Sequence, residues 1–253
     1  MNTVLRRCVP VLAASSLCVS LTACGGDSDT ATEVKPSTSA SASASAKPTK
    51  AKAPAAGALY KQVRDAALSA KSAHVKGSFT EDGEKTSIDL SGTTDGKNQE
   101  ASVTIGADGT ATVRTVAGKY WVKGDSTFWT KSTGDAAAAD AIGAKWIELP
   151  PEEAKGMADT TVSTLLKELF EDSDLGKLEA VLTSVKESTL DGAKVYVVTD
   201  KVADNGSLVT SADGKNRLLK LTGPKDEPGE LTFTEWDAVA PFAAPPAAEI
   251  FKR

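Results

Sequence analysis

From residue 58 onward the apolar positions follow two rhythms. In "ALYKQVRDAALSAKSA", residues 58–73, Leu59, Val63, Ala66, Ala67 and Ala70 recur at helical spacing, which predicts an opening helix. The period then drops to two. "HVKGSFT" alternates through Val75, Gly77 and Phe79, "SIDLSG" through Ile88, Leu90 and Gly92, and "ASVTIG" through Ala101, Val103 and Ile105. Between these runs sit Asp82-Gly83, Asp95-Gly96 and Asp108-Gly109, a tight-turn signal that recurs every 13 residues. Alternating runs separated by such turns predict an antiparallel meander, and "TATVRTVAGKYWVKGDSTFWTKS" continues it with two or three more strands.

The rhythm changes again over 159–188. Val162, Leu165, Leu166, Leu169 and Phe170 share one helical face, and Leu175, Leu178, Leu182 and Val185 mark a second, so two amphipathic helices are expected. Asp159 or Thr160 caps the first in this reading, and Ser173 or Asp174 the second. Strands resume in "AKVYVVTDK", "GSLVTSA", "NRLLKLTG" and "GELTFTEWDAV", with Asn205-Gly206 and Asp213-Gly214 as turns. The chain closes on the extended, Pro-rich "APFAAPPAAEIFKR". About ten mostly antiparallel strands with one apolar face need a cover, and about three helices supply it. The fold class is α+β, a large curved antiparallel sheet with helices packed on one face.

The start of the chain has a different character. "MNTVLRR" is basic and "CVPVLAASSLCVSL" is apolar but too short for a comfortable membrane span. It ends in Leu21-Thr22-Ala23-Cys24, followed by two glycines, and this resembles the lipobox of bacterial lipoproteins. The resemblance implies a signal peptide over 1–23, removal of Cys8 and Cys18 with it, and a diacylglyceryl group on Cys24. Each buried CH₂ of such an anchor contributes about 0.8 kcal/mol, and two chains hold where one does not. Residues 24–57 are rich in Ala, Ser, Thr, Pro and Lys and cannot bury a core, so they read as a flexible tether to a domain over 58–253. The expected location is the cell membrane, lipid-anchored on its extracytoplasmic face.

Cysteine and charge narrow the function. With all three cysteines at or before position 24, the domain has no thiol chemistry and no disulfide. The net charge is −5 even with Arg6 and Arg7 counted, which argues against nucleic acid and against tight electrostatic binding to anionic headgroups. His74 is the only histidine, and it stands in no triad or metal pattern. Nucleophile-elbow and phosphate-loop motifs are absent, and the carboxylate pairs Glu152-Glu153 and Glu171-Asp172 fall beside expected helix ends. No cofactor, metal or catalytic residue is expected. Trp121, Trp129, Trp146 and Trp236 serve either sheet packing or the rim of a pocket.

The order helix, meander, mid-chain helices, second meander, together with "GKYWVKGDSTFWTKS", "KWIEL" and "WDAVAPFAAPPAAEI", resembles the LolA-like superfamily, and within it the LppX/LprG-type lipoproteins of actinobacteria. The resemblance implies a half-barrel with a helical lid on its concave face, enclosing an apolar cavity that carries lipid or acylated molecules through the envelope. Strand parity puts Val103, Ile105, Val113, Tyr120 and Val122 toward such a space, with Leu165, Leu169, Leu178 and Leu182 from the lid. The same residues serve equally as a closed core. In that case the protein is an envelope sensor or scaffold that binds a protein partner and no lipid.

Overall fold

The computed structural model describes residues 53–252 apart from 82, 151, 155–159, 172–181, 201–205 and 227. Cys24, the expected signal segment over 1–23 and most of the expected tether over 24–57 lie outside the described residues, as does Leu178.

The first helix, α1, spans Ala56–Leu68 and buries Leu59, Tyr60, Val63 and Ala67. It stops two residues before the last stripe position, Ala70, because Ser72 and Ala73 already pair in the first strand. Six strands follow as a meander: β1 (Ser72–Glu81), β2 (Glu84–Thr93), β3 (Asn98–Ile105), β4 (Thr110–Val116), β5 (Lys119–Gly124) and β6 (Ile147–Leu149). Five more form a second meander: β7 (Leu182–Leu190), β8 (Ala193–Asp200), β9 (Ser207–Ser211), β10 (Leu218–Thr222) and β11 (Gly229–Thr234). All eleven belong to one antiparallel sheet in the order β6-β5-β4-β3-β2-β1-β11-β10-β9-β8-β7, so the meanders join where β1 pairs with β11 and the sheet does not close.

Two helices follow β5, the first where a strand is expected and the second in a stretch given no assignment from the sequence. Helix α2 spans Ser126–Thr133 and α3 spans Ala136–Ile142. Asp125 caps α2 by accepting from the Phe128 N–H at 2.8 Å, and Gly134, at φ 71°, ends it. Asp135 caps α3 through the Ala137 N–H in the same way. The run "DSTFWTKST" is therefore a capped helix and not a strand, because its two ends supply the cap chemistry that its aromatic middle conceals.

Helix α4 spans Val162–Glu171 and carries the expected apolar face. Thr161 caps it, its Oγ1 accepting from the Thr164 N–H at 3.0 Å. The second mid-chain helix is corrected where it can be compared: Leu182 and Val185 lie in β7, paired with β8, not on a helix. Four helices of seven residues or more occur among the described residues, against about three expected, with a 3-10 turn at Ala247–Glu249.

Candidate functional site

Alternation along the strands divides the sheet into two chemically different faces. Cross-strand partners share a face, so register carries the assignment from strand to strand. Val75 of β1 opposes Leu90, Leu90 opposes Ala101, Ala101 opposes Val113, Val113 opposes Val122 and Val122 opposes Ile147. A second row runs from Gly77 through Ile88 and Val103 to Ala111 and Gly124. Thr86 opposite Ile105, and Gln99 opposite Thr115 opposite Tyr120, complete the same face. Val103, Ile105, Val113, Tyr120 and Val122 therefore lie side by side on one face, as strand parity predicts.

That face bears the helices, which cover it in two separate groups. Leu59, Tyr60 and Val63 of α1 and Val162, Leu165, Leu166 and Phe170 of α4 pack with Val75, Leu90, Val198, Leu208, Leu218, Leu231 and Phe233 in one cluster. Tyr60 and Phe170 meet with ring centroids 5.8 Å apart, and Leu169 packs at the margin. At the β6 end, Trp129 of α2 and Ala139 and Ile142 of α3 form a second cluster with Val122 and Ile147, and Val113, Phe128, Leu149 and Phe251 pack against it. The Phe128 ring sits over Gly124, where any Cβ would overlap it.

Between the groups the face is only partly covered. Val103, Ile105, Ala111 and Tyr120 are half-buried and belong to neither cluster; Ile88 and Val113 border the same strip and are also half-buried. Small residues, Ala101 and Ala111, mark the β3–β4 line where the clusters meet. Val122 and Leu165 are buried inside the clusters, and Leu182 is the first residue of β7. Beside the strip lie polar atoms that sequence reasoning missed. Gln99 and Thr115 are 3% and 1% exposed, and Gln99 Oε1 and Thr115 Oγ1 have no hydrogen-bond partner among the described residues. Gln99 Nε2 donates to the Thr160 carbonyl at 2.7 Å, tying β3 to the start of α4.

The opposite face is polar. His74 Nε2 lies 2.7 Å from Asp89 Oδ1, and Lys76 Nζ lies 2.8 Å from Asp89 Oδ2. Partial burial of Asp89 opposes its charge, but the bonds from Lys76 and His74 outweigh it and hold the carboxyl below its ordinary range. Lys76 is raised in turn, chiefly by its bond to Asp89. Lys76 and Asp89, with Ser78, Ser87, Ser102, Thr104 and Thr232, line an open groove of about 560 Å³. His74 is thus a half-buried partner in an ion-pair network. Trp121 and Trp146 are buried in packing on this face, while Trp129 packs on the other. Trp236 donates to the Leu218 carbonyl at 2.8 Å and stacks on Phe233.

Among the described residues, no three His, Cys, Asp or Glu side chains gather as a metal site, and no helix is long and apolar enough to cross a membrane. No family model and no curated protein matches the chain. Solved structures similar to it include LprF from Mycobacterium bovis, at 13% identity over 76% of this chain and 96% of that one, with a TM-score of 0.46. The lipoprotein LppX from Mycobacterium tuberculosis is 14% identical over 72% of this chain and 94% of that one, with a TM-score of 0.41. A LolA superfamily protein from Nitrosomonas europaea is 10% identical over 79% of this chain and 99% of that one, with a TM-score of 0.25. The likeness is structural only.

Proposed function

We propose that this protein is an extracytoplasmic lipoprotein, anchored through lipid on Cys24, that holds a hydrophobic ligand on the helix-bearing face of its sheet and hands it on within the cell envelope. The observation that carries this reading is the half-buried apolar strip of Val103, Ile105 and Ala111 between two helical groups that do not merge. An acyl chain laid there trades water for apolar neighbours at about 0.8 kcal/mol per CH₂. Val103, Ile105, Val113 and Tyr120 are the contact residues in this proposal, backed by Val122, Leu165 and Leu169, with Leu178 as a further lid position. Sequestration and handover of this kind need no catalytic group. The tether of residues 24–57 gives the domain reach from the membrane.

The test is mass spectrometry of the full chain purified from a bacterial host, intact and after solvent extraction. We expect a lipid or acylated molecule in stoichiometric amount, and its loss in a Val103→Asp, Ile105→Asp variant that keeps the wild-type circular dichroism. An apo mass, with no uptake when lipids are added back, rejects the carrier and leaves the partner-binding scaffold. Metabolic labelling with palmitate checks the anchor, and Cys24→Ser should abolish the label.

A further inference from the structure

The chain beyond β11 crosses the sheet on the face that carries no helices, and its attachments fall at three places. At the first, the Lys71 N–H donates to Asp237 Oδ1 at 2.7 Å, the Asp237 N–H donates to the Ser72 carbonyl at 2.9 Å, and Arg217 pairs with Asp237. At the second, Asn98 of β3 grips the backbone of Phe242 from both sides. Its Nδ2 donates to the Phe242 carbonyl at 2.9 Å, and its Oδ1 accepts from the Phe242 N–H at 2.7 Å. Arg114 of β4 donates to the next carbonyl, Ala243, at 3.2 Å. At the third, the Trp146 N–H donates to the Glu249 carbonyl at 2.8 Å and the Phe251 N–H to the Trp146 carbonyl at 2.7 Å, which ties the segment to the β6 end of the sheet.

The middle attachment stands over a particular line. Asn98 and Arg114 sit on adjacent strands, β3 and β4, and hold consecutive residues of the crossing segment. On the other face the same two strands mark the boundary between the two core clusters, where Ala101 and Ala111 leave the packing thin. One end of the sheet therefore packs with α1 and α4, the other with α2 and α3, and the half-buried strip lies between them. The crossing segment is bound mainly through backbone atoms, with most of its side chains exposed, and only Phe251 at its far end packs against a core cluster, the one at the β6 end.

We infer that residues 237–251 are a latch across the back of the sheet, which sets the angle between its two ends and thereby the access to the apolar strip on the front. Freeing the latch lets the β3–β4 line flex, widens the gap between the helical groups and speeds ligand exchange. The second half of this inference rests on the proposed carrier function; the first does not.

The experiment uses the full chain with Cys8, Cys18 and Cys24 changed to Ser and spin labels on Lys61→Cys in α1 and Asp140→Cys in α3, both exposed positions. Distance distributions from pulsed electron resonance are compared for the otherwise unaltered chain, for Asn98→Ala and for a chain ending at Val239. The first should be narrow; both latch variants should broaden toward longer distances while circular dichroism stays unchanged. An unchanged distribution in the folded variants overturns the latch. In the same samples, release of bound 11-dansylundecanoic acid should speed up about tenfold, the factor corresponding to about 1.4 kcal/mol. Broadening without faster release overturns the control of access. If the unaltered chain binds no probe, the carrier reading falls, and the distance measurement still decides the latch.

Discussion

Replacing Thr115 by valine should stabilise this protein. The residue is 1% exposed on the helix-bearing face, between Gln99 and Tyr120 across the neighbouring strands, and its hydroxyl meets no hydrogen-bond partner among the described residues. A hydroxyl buried in that state forfeits its bonds to water at about 1–3 kcal/mol. Valine keeps the branched shape that suits a strand and removes the polar atom. The gain should be about 1 kcal/mol, because the surroundings are already shaped to the side chain, and a domain of this size turns that into a rise in Tm of about 2–4 °C. Urea denaturation of the full chain should show a higher midpoint at unchanged slope. Gln99→Leu is the control of opposite sign. It also removes an unpartnered oxygen, but it breaks the bond to the Thr160 carbonyl and should cost about 1 kcal/mol. A lowered midpoint for Thr115→Val refutes the reasoning, since it means the hydroxyl is satisfied in the folded protein.

Three further outcomes follow from the same geometry. Phe233→Ala removes a fully buried ring stacked on Trp236 and should cost about 3–5 kcal/mol in chemical denaturation; a loss below about 1 kcal/mol would mean the centre of the sheet is loosely packed. Gly124→Val should push the Phe128 ring and α2 off the sheet, lowering stability by about 1–3 kcal/mol and shifting tryptophan emission to the red, whereas an unchanged midpoint would show that α2 is not seated there. The hydroxyl of Thr93, then Lys97, hold the Asp95 carboxyl down at about 2 from an ordinary 3.8. A depressed carboxyl contributes stability above its unfolded pKa and loses it as pH falls through the folded one, so between those values stability should drop less steeply in Asp95→Asn than in the wild type. Equal slopes would assign acid unfolding to other groups, and the effect is modest because Asp95 is exposed.

The strand face of the candidate site was legible because it needs only period two and tight turns. Val103 and Ile105 alternate with Ser102 and Thr104, and nothing competes with that pattern. The ends of helices were harder. In α2 the cap residues Asp125 and Gly134 were in plain view, but Phe128 and Trp129 read as strand formers and outweighed them. In β7 the spacing of Leu182 and Val185 after Leu175 and Leu178 imitates a helix, and pairing with β8 decides the matter at long range. The Asp191-Gly192 turn between these strands, with both φ values positive, was the overlooked local signal. The Asn98 clamp on Phe242 had no local signal, since it joins residues 144 positions apart through backbone atoms that any sequence carries. The same holds for Gln99, whose partner is the Thr160 carbonyl 61 positions away.

Strand order also dictates how the chain must acquire its structure. Every neighbouring pair in the sheet is consecutive along the chain except β1 with β11, so nine of the ten pairings can zip up soon after both strands exist. The joint between β1 and β11 instead waits for more than half of the polypeptide, and it bears the entropy of closing that long loop. Until β11 arrives, β1 offers a bare hydrogen-bonding edge beside Val75 and Phe79, the kind of edge to which another chain can add. Refolding should therefore show a fast formation of strand structure followed by a slow phase in which Phe233 becomes buried. Substitutions at the β1–β11 joint should lengthen that slow phase, and with it the time during which the chain is exposed to aggregation.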